Sequence, residues 1–428
     1  MALLQAVTGM NDVLPAEAGR WRSLEARFFE TAARYGFREV RTPLCEYTEL
    51  FSRGVGEGTD IVEKEMYVFD DRGGRALALR PEGTASAVRC ALEHAALERE
   101  PVVRWAYAGA MFRAEKPARG RFRQFHQVGA EVYGDASPAA DAEVLDLLVA
   151  FLRSLGLGAF ELRVNSLGQR GSRQRYRDAL VAHFSAVAQE LSPESRERLG
   201  RNPLRILDSK DPRDQTPKLT APSVLDHLDD EDRAHFARVR AYLDALGTPY
   251  RVDPTLVRGL DYYTRTVFEV VDTSGSLGAQ DALGGGGRYD NLFTELGGDG
   301  VSVPAVGFAL GVERLLLAQP VKDPPAPFRV AVVAAARETD QAVLASALSL
   351  ARELREAGLE THLDTRFVSM KSQLRRADDL GARAVLIVGR SELEAGTVAV
   401  KDMAAHAQTV VPRGAVAAHL RALSGSQE

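Results

Sequence analysis

The stretch 102–113, Val-Val-Arg-Trp-Ala-Tyr-Ala-Gly-Ala-Met-Phe-Arg, is followed after a short polar connection by 122–133, Phe-Arg-Gln-Phe-His-Gln-Val-Gly-Ala-Glu-Val-Tyr. Both halves alternate and are rich in aromatic and β-branched residues, which predicts two strands, Val102–Arg113 and Phe122–Tyr133, around a turn. The turn is basic. Residues 113–123 hold Arg113, Lys116, Arg119, Arg121 and Arg123 against the single Glu115, a local charge of +4 in a chain whose total is −5. Such a cationic turn suits a polyphosphate or a nucleic-acid backbone; a solvated hairpin with surface charges carries the same pattern. Period two places Arg123, Phe125, Gln127, Gly129 and Glu131 on one face. A cation, a ring, an amide and a carboxylate together resemble a binding surface more than a core.

Outward from this hairpin, helices are expected at Ala16–Tyr35, Thr84–Leu97 and Ala139–Leu155, and strands at Arg75–Leu79 and Ala159–Asn165. From about 172 to 250 the pattern is helical and charged, including Leu225–Leu246. Strand signals return at Thr266–Val271 and Ala305–Leu310, the latter leading into a helix at Val312–Ala318. Strands on both sides of a helical stretch imply an insertion into one α+β domain whose largely antiparallel sheet is flanked by helices. The expected parts are 1–171, an insertion at 172–250, and 251–317. A linker follows at 318–327, with four prolines in ten residues, a composition that favours a stiff, extended connector. Beyond it, strands at Arg329–Ala336, Glu360–Leu363 and Ala384–Val388 alternate with helices at Asp340–Ala357 and Met370–Leu380, so 328–428 reads as an α/β domain with a mixed or mostly parallel sheet.

Composition narrows the function classes. A chain of 428 residues, 45 % hydrophobic and 26 % charged, has the material for two to four folded domains and is not disordered as a whole. The mild net charge means that any polyanion is held by local basic patches. Cys45 and Cys90 make neither a disulfide framework nor a CxxC zinc site, and reduced cytoplasm is the expected compartment. No apolar run approaches the ~18 residues of a membrane span, and the opening Met-Ala-Leu-Leu-Gln lacks the positive start of an export signal. The phosphate loop GxxxxGK[ST] and the motifs HExxH and GxSxG are absent.

Four further segments carry chemistry. In Leu79-Arg80-Pro81-Glu82-Gly83-Thr84 a carboxylate and a hydroxyl sit where a strand meets a helix, placed to accept from an ammonium group; Thr84 as a plain helix cap is the alternative. In Val257-Arg258-Gly259-Leu260-Asp261-Tyr262-Tyr263-Thr264 a guanidinium beside a glycine can approach a carboxylate or phosphate closely. The run Gly284–Gly287 before Arg288-Tyr289-Asp290 carries a large entropy cost, which implies close approach to its backbone; a flexible loop is the alternative. In Gly307-Phe308-Ala309-Leu310-Gly311-Val312-Glu313-Arg314, small residues at every second position leave a strand face bare for a flat ligand, with Arg314 at the start of the next helix.

Together these segments resemble class II aminoacyl-tRNA synthetases, and specifically histidyl-tRNA synthetases of the bacterial type. Gly36–Pro43 is similar to motif 1 of the class, Phe112–Glu115 with the basic turn to motif 2, and Gly307–Arg314 to motif 3; Ala309 stands where the general pattern has glycine. Arg258–Tyr263 and Leu283–Tyr289 resemble the two signature peptides of the histidine branch, and the C-terminal domain resembles its anticodon-binding module.

The resemblance implies an enzyme that activates histidine with ATP and Mg²⁺ and transfers it to tRNA(His), working as a cytoplasmic homodimer without a membrane. It assigns catalysis to Arg258 and Arg113. Glu82, Thr84 and Gln127 would hold the substrate ammonium, Glu131 and Tyr263 the imidazole, and Tyr289 would help close the pocket, with Gly83 and Tyr262 completing the histidine-binding set. Phe125 would stack on adenine, and Glu115, Arg121 and Arg314 would place ATP beside Arg113. Lys116, Arg119 and Arg123 would meet the acceptor end of the tRNA, and Arg366, Lys371, Arg375 and Arg376 the anticodon stem, although a solvated helix face would look alike. A non-catalytic regulatory subunit of a histidine-biosynthesis enzyme, built on the same core, is the competing expectation.

Overall fold

The computed structural model describes residues 3–56, 59–207, 209–257, 260–278, 281–297, 300, 302–320, 328–335, 340–366 and 368–424. Two compact units divide between 321 and 322; Arg258 and most of the proline-rich linker lie outside the described residues. The first unit contains β1 (Arg38–Glu39), β2 (Cys45–Tyr47), β3 (Tyr67–Asp70), β4 (Ala76–Leu79), β5 (Val103–Phe112), β6 (Gln124–Tyr133), β7 (Phe160–Ser166), β8 (Arg251–Val252), β9 (Thr264–Asp272), β10 (Ala282–Arg288) and β11 (Ala305–Gly311). Eight of these form one sheet in the order β1-β5-β6-β11-β10-β9-β7-β8, antiparallel except at its two edge pairs, and β2-β4-β3 form a small antiparallel sheet.

The alternation expected in the hairpin is realised. Val128, Ala130 and Val132 of β6 are buried in the main core with the helices Pro15–Arg34, Pro138–Ser154 and Asp230–Leu246. The other set, Phe125, Gln127, Gly129 and Glu131, shares the opposite face. Helices thus cover one side of the sheet; the second side is covered in part, where Tyr133 and Val267 pack with the helices Thr84–Glu93 and Arg170–Ala186, and the remainder is left to build a site.

Two expected helices are broken. The helix starting at Thr84 stops at Glu93 because Ala95 adopts φ +48, and a short turn, Ala96–Arg99, follows. The stretch at 225–246 splits into a 3₁₀ turn, Val224–His227, and a helix from Asp230, since the Asp229 side chain accepts from the Asp232 amide and caps a new start. The glycine run is no loop. It lies in β10, between β9 and β11, and a methyl at Gly284 or Gly286 would overlap the backbone of β11. The close approach the glycines permit is, at these positions, the neighbouring strand's.

The second unit holds β12 (Arg329–Ala334), β13 (Glu360–Leu363), β14 (Ala384–Val388), β15 (Thr397–Asp402) and β16 (Ala407–Pro412) in the order β13-β12-β14-β15-β16. β12 pairs in parallel with β13 and β14, and β15 and β16 run antiparallel, a mixed sheet. The expected strand 329–336 ends at Ala334, and Ala336 lies outside the described residues.

An ion pair removed from water joins β10 to the helical layer. Arg288 and Asp141, both 0 % exposed, meet at Nε and Nη2. Burial alone would raise the Asp141 carboxyl, but Arg288 and His235 override it and hold it well below the usual carboxylate range. Arg288→Met strands that carboxylate in the core, and a loss of about 3–5 kcal/mol is expected from the denaturant midpoint. The double variant Arg288→Met/Asp141→Leu recovers most of it; equal losses in single and double variants would contradict the pair's role.

Candidate active site

A cradle of about 310 Å³ opens on the face of the eight-stranded sheet opposite the main core. Glu82, Thr84, Arg113, Glu115, Arg121, Phe125, Gln127, Tyr262, Tyr263, Tyr289 and Arg314 line it. Eleven residues singled out from five separated sequence segments therefore meet in one cavity.

One end is acidic, aromatic and closed. Glu82 precedes the Thr84–Glu93 helix and caps it, accepting from the amides of Thr84 at 2.7 Å and Ala85 at 2.8 Å. The cap is thus Glu82, not Thr84, whose hydroxyl donates to Glu131 Oε1 at 2.8 Å. Glu131 is fully buried and also accepts from the hydroxyls of Tyr107, at 3.1 Å, and Tyr289, the latter on Oε2. Burial raises the Glu131 carboxyl to about 8, against the lowering by its hydroxyl donors. Burial likewise raises Glu82, against its two backbone amides. The rings of Tyr262 and Tyr263 lie 4.7 Å apart, and that of Tyr262 is 5.5 Å from Tyr289. Gln127 Oε1 is buried and, among the described residues, has no hydrogen-bond partner, so an acceptor is held ready beside Glu82 and Thr84.

Glycines make the room. A Cβ at Gly83 or Gly129 would overlap the Tyr107 ring, and one at Gly307, which pairs with Glu131 across β11 and β6, would overlap the Glu131 carboxylate. Gly83 accordingly stands behind the site wall, and the bare face expected at Gly307 is filled there by Glu131.

The other end is cationic and open. Arg113 donates from Nε to the Pro81 carbonyl at 2.9 Å, and its guanidinium carbon sits 5.2 Å from the Phe125 ring centre. Arg121 Nε meets Glu115 at 2.7 Å, while Arg113 stays 3.9 Å from the same carboxylate. Arg314 donates to the carbonyls of Gly120 at 3.0 Å and Ala282 at 2.5 Å. Burial lowers the Arg314 pKa, and the neighbouring cations Arg121 and Arg113 lower it further. Three guanidinium groups around one carboxylate make an anion site.

Lys116 and Arg119 are exposed on the turn between β5 and β6 and do not line the cradle, and Arg123 bonds the Glu115 carbonyl at 3.2 Å just before β6 begins. Arg366, Lys371, Arg375 and Arg376 are exposed in the second unit, on and beside the helix Met370–Asp379; Arg366 is paired with Asp364 at 2.6 Å. Sequence reasoning missed Tyr107, the hydroxyl beneath Glu131, and two carboxylates on the cradle wall, Glu269 and Glu313. Glu269 was visible as the single acid of the expected strand Thr266–Val271. Glu313 accepts from the His126 amide at 2.9 Å, a contact spanning 187 residues that no local pattern signals.

A family model described as histidyl-tRNA synthetase matches residues 9–315, and one described as anticodon binding domain matches 329–423. The chain belongs to the histidyl-tRNA synthetase family. It is similar to the histidine–tRNA ligase of Sorangium cellulosum, 53 % identical over 96 % of this chain and 94 % of that one, and to that of Geobacillus kaustophilus, 46 % identical over 99 % of both. Among solved structures, apo histidyl-tRNA synthetase of Staphylococcus aureus superposes with a TM-score of 0.81 at 35 % identity, covering 98 % of this chain and 100 % of that one.

The Glu131 environment gives a pH test. Below about pH 4.5 the carboxyl is protonated in folded and unfolded chains alike; between about 4.5 and 8 the folded state keeps a proton that the unfolded state has lost, so this group's contribution to stability falls as pH rises through that window. Glu131→Gln lacks that slope. The stability of the wild type relative to the variant is expected to decline from pH 5 to 8, and a pH-independent difference in denaturation midpoints would contradict the assignment.

Proposed function

We propose that this chain ligates histidine to its tRNA in two steps within the cradle. A carboxylate oxygen of histidine attacks the α-phosphorus of ATP, the bond to pyrophosphate breaks, and histidyl-adenylate remains. A ribose hydroxyl of the tRNA's terminal adenosine then attacks the acyl carbon, its proton passes to the departing phosphate, the acyl–phosphate bond breaks, and AMP leaves. The observation that carries this reading is the polarity of one cavity: acceptors and buried hydroxyls at one end, Arg113, Arg121 and Arg314 at the other.

The substrate ammonium fits between Glu82, Thr84 and the unpaired Gln127 oxygen. The two imidazole nitrogens find partners in Glu131 and Tyr263, with Tyr262 and Tyr289 closing the pocket. An amino acid lacking those nitrogens would leave buried polar groups unpaired, which gives discrimination without an editing domain. Phe125 would carry adenine, and Arg121 and Arg314 the outer phosphates. Arg113 faces the α-phosphate, where charge builds in the transition state, and family resemblance gives Arg258 the same task. The attacking carboxylate is already an anion, so no general base is needed; orientation and charge neutralisation supply the rate.

Mg²⁺ would offset the charge of the triphosphate. Among the described residues no cluster of three or more His, Cys, Asp or Glu side chains forms a cage for an ion, so the ion fits as a companion of ATP, with Glu115 and Glu269 as nearby carboxylates on the cradle wall.

The proposal extends to tRNA(His) as partner. Lys116, Arg119 and Arg123 reach its acceptor end, the 172–250 insertion embraces that arm, and the 328–428 domain with Arg366, Lys371, Arg375 and Arg376 meets the anticodon stem. The segment 251–317 completes the catalytic domain begun by 1–171, and 318–327 links it to the last domain. A cytoplasmic homodimer formed through Gly36–Pro43 is part of the same reading. Among the described residues no helix is long and apolar enough to cross a membrane. Relatives at 53 % and 46 % identity, matched across both units, favour the ligase over the non-catalytic alternative.

Amino-acid-dependent ATP–pyrophosphate exchange tests the reading, with histidine alone among the amino acids expected to drive it. Exchange with none of them, even with tRNA(His) added, would overturn it. Arg113→Ala and Arg258→Ala are each expected to lower histidine-dependent exchange at least ~10²-fold, the scale of one lost preorganised electrostatic contact.

A further inference from the structure

The turn bearing Tyr262 and Tyr263 is gripped from outside the cradle. Arg173, on the helix Arg170–Ala186, donates from Nη1 to the carbonyl of Asp261 at 2.9 Å and to that of Tyr263 at 3.4 Å. Its Nη2 lies 3.8 Å from the Asp261 carboxylate, which also accepts from Asn202 at 3.4 Å. One guanidinium therefore holds two carbonyls of a three-residue segment.

The far end of that segment is held as well. Arg265 adopts φ +44, a left-handed conformation that costs a non-glycine residue about 1 kcal/mol or more. Its Nε is fixed by Asp232 at 2.9 Å. Asp232 also accepts from the Gln169 amide at 2.8 Å and from Ser172 Oγ at 2.7 Å, next to Arg173 in the chain. The helices Arg170–Ala186 and Asp230–Leu246 thus clamp residues 261–265 at both ends.

The clamp has a route to the buried end of the site. Tyr263 packs on Tyr262, Tyr262 on Tyr289, and Tyr289 donates to Glu131. A backbone rotation at 261–263 would move the first two rings and open the wall around the third. Arg173 itself stays out of the cradle. It faces a separate open cavity of about 370 Å³, shared with Arg170, Arg177 and Arg201; among the described residues, Tyr263 is the one wall this cavity has in common with the cradle.

We propose that Arg173 is a positioning residue for the histidine end of the site, setting histidine affinity through the carbonyls of Asp261 and Tyr263 without touching substrate. The inference rests on the reading that this end of the cradle takes histidine. A partly exposed ion pair alone would contribute little; the two carbonyl bonds give Arg173 its hold. Because its cavity is open, truncation leaves solvated space rather than a buried void.

The test is ATP–pyrophosphate exchange by the full chain without tRNA, varying histidine and ATP separately. Arg173→Ala is expected to raise the KM for histidine about tenfold or more, with kcat and the KM for ATP within about threefold of wild type, the pattern of a lost binding-side contact. Arg173→Lys, which keeps a donor and a charge, is expected to recover part of that loss. The melting temperature should hardly move. An unchanged histidine KM would overturn the proposal, and so would parallel changes in both KM values, kcat and melting temperature, which mark a merely structural role. If Arg173→Ala does not fold, Arg173→Gln carries the same comparison. Wild type without histidine-dependent exchange would instead refute the histidine reading itself, so the two failures are distinct.

Discussion

Two charges with no access to water, Arg288 and Asp141, hold the sheet in the form on which the cradle depends. Arg288 uses every nitrogen: Nε and Nη2 on Asp141, Nη1 on the Asp135 carbonyl and Asp290, and Nη2 also on the Ser137 carbonyl. Residues 135–137 are the connection from β6 into the Pro138–Ser154 helix. The end of β10 is thereby tied to the exit of β6, although β11 lies between them. The two cradle walls, Phe125 and Gln127 on one strand and Leu283 to Gly285 on another, gain a common reference. An apolar pair of similar volume could stabilise the fold as well, but it would not fix those two strands by directional bonds.

The next residue, Tyr289, is where this anchor meets the site. Its hydroxyl donates to Glu131, whose carboxylate occupies the volume that Gly307 leaves empty. Tyr107 fills the space left by Gly83 and Gly129 and donates from below. Small residues on one strand and large polar ones on its neighbour are thus a single packing decision. The buried carboxylate is tolerable because three hydroxyls surround it, and even so its proton is held to about pH 8.

This division explains what the sequence disclosed. The hairpin strands were legible because one face is buried and the other is not, so period two survives in the residues. The basic turn and the charged cradle residues were legible as chemistry, since they sat at turns and strand ends where a fold has little packing use for them, whereas Tyr262, Tyr263 and Tyr289 also pack into a buried cluster. β10 was not legible as a strand: a run of glycines has no side-chain period to read. The break at Ala95 and the restart at Asp230 turn on single backbone torsions and one cap, which a helical pattern overrides on paper. Tyr107 and Glu313 act through pairings between strands and helices distant in the chain, and register across a sheet is not a local property. Arg258, the guanidinium singled out first for catalysis, lies outside the described residues, so its place rests on the resemblance.

The two ends of the cradle solve opposite electrostatic problems. At the tyrosine end, burial penalises charge, and Glu82 and Glu131 are both pushed toward their protonated forms until something with a compensating charge or hydrogen-bond set arrives. At the arginine end, Arg113, Arg121 and Arg314 crowd one another, and Glu115 offsets only part of their charge. Each end is therefore incomplete alone in the sense that matches its proposed ligand, an ammonium and imidazole at one and a polyphosphate at the other. The carboxylate of the first ligand and the α-phosphate of the second would meet between them, where both bring negative charge and Arg113 is already fixed on the Pro81 carbonyl. A site that spends its folding energy on orienting a cation at the point where two anions must approach needs no base and no nucleophile of its own.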